Sequence, residues 1–396
     1  MFEDVALAPP DPILGLTEAF NADPNPQKIN LSVGIYQDDR GVTPVLGTVK
    51  QAERRLVEAG GSKAYKPIAG DPAFGLHVRE LSFGAGHELV TDGRAVTAHT
   101  PGGTGALRIA GDYLKKLHGA PALWVSAPTW ANHQSVFESA GLAVRTYPYF
   151  DSAKNRLDFD AMRIALGRVA AGDVVLLHGG CHNPTGVDPS PEQWKEIAAA
   201  LVERRALPLI DFAYQGFASG VEEDAAGVRS VAGACPELVV CSSFSKNFGL
   251  YSERVGALTF VTGDAASAAR VLSQVKICIR TAYSNPPAHG AAIVSTVLGD
   301  PALKRQWIGE VAEMRERIHA MRALFVRTLA EHGAQRDFSF ITRQNGMFSF
   351  SGLSNEQVKA LREKHAIYMV GSGRINVAGI TSSNVGRLCE AIVSVL

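Results

Sequence analysis

Short apolar runs alternate with helical patterns between about residues 95 and 262 of this 396-residue chain. The runs have the length and the polar flanks that are typical of buried strands. They are Ala122–Ser126, Ala143–Tyr147, Val174–Leu177, Pro208–Asp211, Leu238–Cys241 and Gly256–Val261. Strands that alternate with helices favour a mostly parallel sheet with helices packed on both faces. The pattern therefore predicts an α/β fold for this part of the chain.

Helix start signals are clear at several places. In Ser190-Pro191-Glu192-Gln193 the serine can cap the helix, the proline suits the first turn and the glutamine completes a capping box. The segment 354–357 repeats this signal. A further pattern runs without a breaker from Asp300 to His332 and predicts a helix about 48 Å long at 1.5 Å per residue. A helix of that length can connect two domains.

The two ends of the chain depart from the alternating pattern. Residues 1–30 are rich in proline and polar residues, which predicts an extended arm and a short helix at about Pro12–Phe20. Such an arm usually lies against another surface, and a partner subunit is one candidate. After the long helix, mixed elements are predicted: strands at 346–351 and 374–377, and helices at 355–364 and 384–395.

These patterns predict two domains, of which the smaller uses both ends of the chain. Residues 1–40 would form an N-terminal arm and part of the small domain, 41–310 the large domain, and 311–396 the small α+β C-terminal domain.

The composition indicates a folded, globular protein and argues against some partners. Hydrophobic residues make up 46% of the chain, which is ample for a large core. Lys plus Arg and Asp plus Glu both total 39, so no overall charge favours nucleic acid or anionic membranes. The five cysteines form no Cys-x-x-Cys pair, which favours reduced thiols over a metal site. The acidic start Met1–Asp4 is unlike a signal peptide, and no apolar run approaches the roughly 18 residues of a membrane span. We therefore expect a cytoplasmic protein without a metal.

The segment Ser242-Ser243-Phe244-Ser245-Lys246 places one amine beside several hydroxyl groups, and Arg254 follows eight residues later. Because a predicted strand precedes it, Lys246 lies where a strand opens into a loop. Loss of water there lowers the pKa of the amine and makes its neutral form available to an aldehyde. Taken alone, a solvated surface lysine is the more common case. The Ser-x-x-Lys pattern of acyl-enzymes also fits, but its companions Ser-Asp-Asn and Lys-Thr-Gly do not occur in the chain.

A glycine turn, Pro101-Gly102-Gly103-Thr104-Gly105, opens a helical pattern. Its backbone N–H groups and the helix N-terminus can hold a phosphate. Arg108 stands where a dinucleotide fingerprint needs its third glycine, and no Gly-Lys-Ser/Thr follows for a nucleotide P-loop. A plain helix-start turn explains the loop about equally well.

Two further polar residues come just after predicted strands. Asn183, in His182-Asn183-Pro184-Thr185-Gly186, lies in a turn at a strand end, where ligands of open parallel sheets bind. Asp211 ends a buried run, and Tyr214 follows three residues later. A carboxylate in that place needs a cationic partner, and a protonated pyridine nitrogen would serve. In isolation, an ordinary Asn-Pro turn and a helix cap explain these residues as well.

Taken in order, these motifs closely resemble the aspartate/aromatic aminotransferases, which are pyridoxal-phosphate enzymes of fold type I. The resemblance spans essentially the whole chain, from Asp11–Leu16 to Ser372–Gly379. The residues that match the family are Gly102–Gly105, Trp130 with His133, Asn183–Gly186, Asp211 with Tyr214, Ser243–Lys246, Arg254 and Arg374. The resemblance implies a large domain with a mostly parallel seven-stranded sheet, a smaller α+β domain, and a homodimer with active sites at the subunit interface.

The resemblance also implies roles around the cofactor ring. Lys246 would link covalently to pyridoxal 5'-phosphate, Asp211 would pair with its ring nitrogen, and His133 would support Asp211. The other ring contacts would come from Asn183, Tyr214 and Trp130.

The phosphate and the substrate would be held by a second group of residues. The phosphate ligands would be Gly103, Thr104, Ser243, Arg254 and Tyr65 of the partner subunit. Arg374 would bind the substrate α-carboxylate, with the backbone of Gly34 nearby, and Arg280 of the partner subunit would bind a side-chain carboxylate. Without the surrounding motifs, a surface salt bridge would be the simpler explanation of each arginine.

The implied reaction moves the amino group of an amino acid to a 2-oxo acid in two half-reactions, with 2-oxoglutarate as the acceptor. Residues at the substrate pocket give a mixed indication of the amino acid. Thr43, Thr104 and Asn285 are similar to the residues of aspartate-preferring members of the family, whereas Gln37 and Ala64 differ from them. Ile35 is a further position of this pocket. We expect aspartate as the main substrate with some aromatic activity, and aromatic amino acids as the alternative main substrates.

Two other functions compete with this one. A lyase or decarboxylase could use the same fold and cofactor, but Arg280 together with Arg374 favours a dicarboxylic amino acid that exchanges nitrogen. A ligand-sensing module of a transcription regulator would carry an N-terminal DNA-binding domain, and Asp11–Leu16 already matches the first helix of the enzymes. We therefore expect amino acids and 2-oxo acids as partners, without nucleic acid or membrane.

Overall fold

The computed structural model describes residues 1–8, 14–117 and 121–396. Their contacts divide the chain into two compact units. The first unit comprises Met1–Thr43 and Arg317–Leu396, and the second comprises Pro44–Glu316. The domain division predicted from the sequence, with boundaries at 40/41 and 310/311, stays a prediction.

The described residues form the following helices and strands. The helices are α1 Leu14–Ala22, α2 Gly47–Glu58, α3 Pro72–Phe83, α4 Glu88–Thr91, α5 Gly102–Leu117, α6 Asn132–Ser139, α7 Phe159–Leu166, α8 Pro191–Arg204, α9 Ala226–Ala234, α10 Ala265–Ala282, α11 Ala288–Gly299, α12 Pro301–Glu331, α13 Asn355–His365 and α14 Val385–Val393. The strands are β1 Ile29–Asn30, β2 Ala95–Pro101, β3 Ala122–Ala127, β4 Ala143–Pro148, β5 Phe150–Asp151, β6 Arg156–Leu157, β7 Val174–His178, β8 Leu207–Phe212, β9 Leu238–Ser243, β10 Val255–Val261, β11 Phe348–Phe350, β12 Ile367–Tyr368 and β13 Arg374–Asn376. Short 3₁₀ helices occupy Glu223–Ala225, Ser339–Arg343 and Val377–Gly379.

The second unit contains a seven-stranded sheet in the order β2-β10-β9-β8-β7-β3-β4. Strand β10 is antiparallel to both of its neighbours, and the other pairs are parallel. This confirms the predicted mostly parallel sheet, and each of the predicted strands is present. Sequence reasoning did not identify β2, because the polar residues Thr97, His99 and Thr100 interrupt its apolar run.

Helices cover both faces of this sheet. Along β7, Val175 and Leu177 belong to one buried cluster, whereas Val174 and Leu176 belong to another. Successive side chains of a strand point to opposite faces, so the two clusters lie on opposite sides of the sheet. Helices α7, α8 and α9 contribute to the first cluster and α5, α6 and α10 to the second. Full burial of one such aliphatic side chain contributes about 1.5–3 kcal/mol, which explains why these strands are apolar on both faces.

The helix signals read from the sequence are confirmed. Both capping boxes form, with Ser190 and Gln193 at α8 and with Ser354 and Gln357 at α13. The predicted long helix is α12, Pro301–Glu331, which starts at a proline as expected for a first turn.

The first unit contains two small pairs of strands. Strand β1 is parallel to β12, and β11 is antiparallel to β13 with Phe350 opposite Arg374. The strands predicted at 346–351 and 374–377 are therefore present but shorter. Helix α1 begins at Leu14, and Asp11–Ile13, which hold the predicted helix start and half of the first motif, lie outside the described residues.

Among the residues that the structure describes, none of the helices has both the length and the apolar character needed to span a bilayer.

Candidate active site

Lys246 lies in the loop that follows β9, three residues after Ser243. Its Nζ atom is 4.8 Å from the centroid of the Tyr214 ring. Burial lowers the pKa of Lys246 to about 8; the charge of Asp211 opposes this effect and that of Arg254 adds to it. A pKa near 8 leaves about a tenth of the amine neutral at pH 7, compared with well under a thousandth for an ordinary lysine. The structure therefore provides an amine that is reactive near neutral pH.

Asp211 is the buried carboxylate of the site, at the carboxyl end of β8. Its Oδ2 atom is 3.0 Å from Nε2 of His133, and Nδ1 of His133 is 2.8 Å from Oγ1 of Thr129. Burial by itself raises the pKa of Asp211, but the hydrogen bond to His133 and the charges of His133, His178 and Lys246 outweigh it and lower the pKa below the ordinary value. Asp211 is therefore ionised and can hold a proton on a neighbouring basic nitrogen.

Other aromatic and histidine rings surround this carboxylate. Trp130 packs edge-on against His133, with 5.2 Å between the ring centroids. His178 is buried, and its pKa falls to about 3, mainly through burial and also through the charge of His133. Side-chain ligand atoms of His133, His178 and Asp211 lie within 4.8 Å of one another, a spacing that a metal ion could use. Because Nε2 of His133 already faces Asp211, we interpret the cluster as support for the carboxylate.

The turn that carries Asn183 is held by Asp188. The Asp188 side chain accepts hydrogen bonds from the backbone N–H groups of Cys181 and His182, both at 2.9 Å. Asn183 itself is buried, 5% exposed, just beyond the end of β7. The sequence contains no motif that marks Asp188 for this role.

The glycine turn at the start of α5 forms a close-packed cradle. A Cβ atom on Gly102 would lie 2.4 Å from Nη2 of Arg254, and one on Gly256 would lie 2.3 Å from the carbonyl carbon of Gly102. Gly102 also has a φ of 76°, so both its conformation and its surroundings require glycine. Ser243 is adjacent, since a Cβ atom on Gly103 would be 3.1 Å from the Ser243 Cβ.

These groups make the cradle suitable for an anion. It combines the N-terminus of α5, where Gly103 and Thr104 lie in the first turn, with the Arg254 guanidinium and the Ser243 hydroxyl. Ser245, which sequence reasoning did not assign to the site, donates its backbone N–H to Oγ of Ser243 at 3.3 Å. The phosphate site predicted from Gly103, Thr104, Ser243 and Arg254 is therefore one local structure.

A buried tryptophan supports the loop of Lys246. Nε1 of Trp307 donates to the carbonyl of Asn247 at 2.8 Å, and the ring of Trp307 stacks on Phe248 with 4.6 Å between centroids. The amide of Asn247 in turn donates to the carbonyl of Gln215, next to Tyr214, at 3.2 Å. These contacts join the loop of Lys246 to the loop of Tyr214. Sequence reasoning missed them, because Trp307 is far from this loop along the chain.

Trp307→Phe should destabilise the protein because it removes the hydrogen bond from Trp307 to the carbonyl of Asn247. The variant keeps a ring against Phe248 but leaves the buried carbonyl of Asn247 without its indole donor. We expect the free energy of unfolding to fall by about 1–3 kcal/mol, measured by urea denaturation. Trp194→Phe is the control, because it removes another buried indole of the same unit. An equal loss in both variants would mean that ring size, and not the hydrogen bond, accounts for the effect.

The predicted substrate residues Arg374 and Gly34 lie together in the first unit. Arg374 is 4% exposed, and its Nη2 atom donates to the carbonyl of Ser32 at 2.5 Å. Its guanidinium carbon is 4.2 Å from the centroid of the Phe348 ring. A Cβ atom on Gly34 would lie 2.7 Å from the same ring. Phe348 therefore contacts both residues, although the sequence analysis did not select it.

The two residues assigned to a partner subunit are exposed in this chain. Tyr65 is 92% exposed. Arg280 is exposed near the end of α10, where its Nη1 atom donates to the hydroxyl of Ser284. Both side chains are therefore accessible to a second chain.

The residues expected to tune substrate choice have varied surroundings. Oγ1 of Thr43 donates to the carbonyl of Tyr36 at 3.0 Å, and the amide of Asn285 donates to the carbonyl of Lys66 at 3.1 Å. Gln37 lines a polar cavity of about 280 Å³ in the first unit.

Comparisons with known proteins identify the family of this chain. A family model described as "Aminotransferase class I and II" matches residues 26–392. The chain is 57% identical over 396 residues to the aspartate aminotransferase of Escherichia coli (strain K12), with 100% of both proteins covered. It is 49% identical over 394 residues to the aromatic-amino-acid aminotransferase of Pseudomonas aeruginosa, with 100% of this chain and 98% of that protein covered. The fold is also similar to a crystal structure of the aromatic-amino-acid aminotransferase from Burkholderia pseudomallei, which is covalently bound to pyridoxal phosphate. The TM-score is 0.97 at 49% sequence identity, and the match covers 100% of this chain and 99% of that chain.

Proposed function

Since the chain belongs to the class I and II aminotransferase family, we propose that it transfers the amino group of aspartate, and also that of aromatic amino acids, to 2-oxoglutarate. The observation that carries this proposal is the partly buried Lys246 amine, which has a pKa of about 8 and interacts with the ionised Asp211. An amine for proton transfer and a carboxylate that holds a proton on a ring nitrogen are the two groups that transamination needs.

The described residues fit pyridoxal 5'-phosphate. The cradle, in which a Cβ on Gly102 would meet Arg254, suits a phosphate, and Lys246 suits an aldehyde. Asp211 suits the ring nitrogen, because its carboxylate is ionised although buried. The ring hydroxyl is assigned to Asn183 and Tyr214, and the face of the ring to Trp130.

When bound, the cofactor withdraws electrons from the substrate Cα through its protonated ring. Lys246 would act as the base that removes the proton at the substrate Cα and later returns a proton within the same site. Asp211, held by His133, keeps the ring nitrogen protonated throughout. Arg374 binds the α-carboxylate in both half-reactions, because the amino acid and the 2-oxo acid share that group.

The active form is a cytoplasmic homodimer in which each site receives Tyr65 and Arg280 from the partner subunit. The exposure of both side chains supports this assignment. Tyr65 would contact the phosphate, and Arg280 would bind the second carboxylate of a dicarboxylic substrate. We assign the large, cofactor-binding domain to residues 41–310 and the small domain to residues 1–40 and 311–396.

Arg280→Ala should discriminate between substrate classes. Loss of a charged partner of the distal carboxylate is expected to lower kcat/KM for aspartate by about 10²–10³-fold, while phenylalanine, which has no second carboxylate, changes only slightly. Arg270→Ala is the control, because Arg270 is exposed on the same helix and also bonds a serine hydroxyl, that of Ser267. Similar losses for aspartate and phenylalanine in Arg280→Ala would remove Arg280 from this role.

Steady-state rates with aspartate, tyrosine and phenylalanine, each with 2-oxoglutarate, test the substrate assignment. We expect the highest kcat/KM for aspartate and measurable rates for the other two. A preference for tyrosine or phenylalanine would make the protein an aromatic-amino-acid aminotransferase, which Gln37 and Ala64 favour. Consumption of more than one aspartate per active site without any 2-oxo acid would instead indicate a lyase.

A further inference from the structure

Arg322, in α12, is a buried arginine that lies outside the site described above. Its side chain is only 1% exposed. Nη1 donates to the carbonyl of Ile341 at 3.1 Å and to the hydroxyl of Ser349, and Nη2 donates to three more carbonyls. Those carbonyls belong to Asn345 at 3.2 Å, Gly346 at 2.7 Å and Phe348 at 2.8 Å. A guanidinium is costly to bury unless its donors are satisfied, and its planar fork can serve several acceptors at once.

Most of these acceptors lie on one short segment, residues 345–349. The fork therefore holds the backbone on both sides of Phe348 and bonds the carbonyl of Phe348 directly. Strand β11 begins at this residue and pairs with β13, where Arg374 lies opposite Phe350. The position of the Phe348 ring thus depends on the contacts of Arg322 as well as on the pairing of these two strands.

The Phe348 ring has little freedom to move without disturbing the predicted carboxylate site. The guanidinium of Arg374 lies 4.2 Å from the ring centroid, a cation–π contact that orients it. On another side, the ring is so close to Gly34 that a Cβ atom there would be 2.7 Å from it. A shift of the ring would therefore move Arg374 or the backbone at Gly34. Errors of about 1 Å in the placement of such groups can cost on the order of 10²-fold in rate.

We propose that Arg322 is a positioning residue for the substrate α-carboxylate, acting through Phe348 on Arg374. This inference rests on the proposed role of Arg374 in binding that carboxylate. Since the amino acid and the 2-oxo acid both carry the group, Arg322 affects the binding of both substrates. It has no part in the proton transfer at Lys246.

Arg322→Lys tests this role, because it keeps the positive charge but loses the planar fork. We expect the KM values of aspartate and 2-oxoglutarate to rise together by about tenfold or more, with kcat within about threefold of the wild-type value. The Kd of succinate, a dicarboxylate that lacks an amino group, should rise by a similar factor when it is titrated calorimetrically into the cofactor-loaded enzyme. The cofactor content should be unchanged.

Arg317→Lys is the matched control on the same helix. Arg317 also donates to backbone carbonyls, those of Ala378 at 3.3 Å and Ile380 at 2.8 Å, but these lie outside the 345–349 segment. The succinate Kd and both KM values of Arg317→Lys should therefore remain near those of the wild type. A rise equal to that of Arg322→Lys would show a general loss of packing and would overturn the proposal.

Ser349→Ala provides a milder test in case Arg322→Lys does not fold. It removes one acceptor of the Arg322 fork, and we expect the succinate Kd to rise about threefold.

Arg374→Lys separates this inference from the proposed function. If Arg374→Lys weakens succinate binding but Arg322→Lys, or Ser349→Ala in its place, does not, the positioning role is overturned and the proposed function stands. If Arg374→Lys also binds succinate normally, the assignment of the α-carboxylate site fails, and the role of Arg322 fails with it.

Discussion

Lys246→Ala is expected to abolish amino-group transfer while leaving a protein that still binds pyridoxal phosphate. The amine is the proposed covalent link and the base at Cα, so we expect kcat to fall by about 10⁴-fold or more. The cradle of Gly103, Ser243 and Arg254 does not involve the lysine, and phosphate binding should therefore persist. Steady-state assays with aspartate and 2-oxoglutarate measure kcat, and absorbance after gel filtration measures the bound cofactor.

Borohydride reduction of the wild-type protein provides an independent check. Mass spectrometry of its peptides should find the reduced cofactor on Lys246. Lys195→Ala, which changes an exposed lysine of α8, is the control and should retain full activity. Near-normal turnover in Lys246→Ala, or an adduct on another lysine, would refute the assignment.

Asp211→Asn is expected to have the second largest effect. It preserves the shape of the side chain but removes the charge that holds a proton on the cofactor ring. We expect kcat with aspartate to fall by about 10³-fold, the upper range for the loss of one group that stabilises charge in a transition state. Asp211→Glu keeps the charge and should recover part of this loss. The measurement is kcat under saturating aspartate and 2-oxoglutarate.

Asp112→Asn is the matched control for Asp211→Asn. Asp112 is paired with Arg108 on the surface of α5, where the same substitution should leave kcat unchanged. If Asp211→Asn retains more than about a tenth of the wild-type kcat, the ring nitrogen does not depend on this carboxylate.

Local patterns were sufficient to predict much of the fold. The apolar runs of β7, β8 and β9 are buried on both faces, and such strands are recognisable because the first four residues of each are apolar. The helix caps at Ser190 and Ser354 were equally predictable, because a capping box depends on residues three positions apart. Strand β2 was missed because polar residues at the sheet interrupt its pattern. The antiparallel direction of β10 also could not be read from the sequence, because direction depends on the path of the connecting chain.

The site was predicted unevenly, according to how far apart its partners lie along the chain. Residues next to strand ends, such as Asn183, Asp211 and Lys246, were selected because motifs surround them. The residues that support the site carry no motif of their own: Asp188 bonds the turn of Asn183, Trp307 bonds the loop of Lys246, and Phe348 contacts Arg374. The bond of Trp307, for example, joins helix α12 to the loop of Asn247, 60 residues earlier in the chain.

The sequence by itself determined the class of fold, the family and the chemical groups of the site, because these depend on residue types at short, regular spacings. Only the tertiary structure decided how those groups behave. Burial lowers the pKa of Lys246, the bond to His133 helps keep Asp211 ionised, and Arg322 bonds the backbone of Phe348, whose ring contacts Arg374. Each of these effects depends on desolvation or on contact between distant segments, and neither exists until the chain has folded.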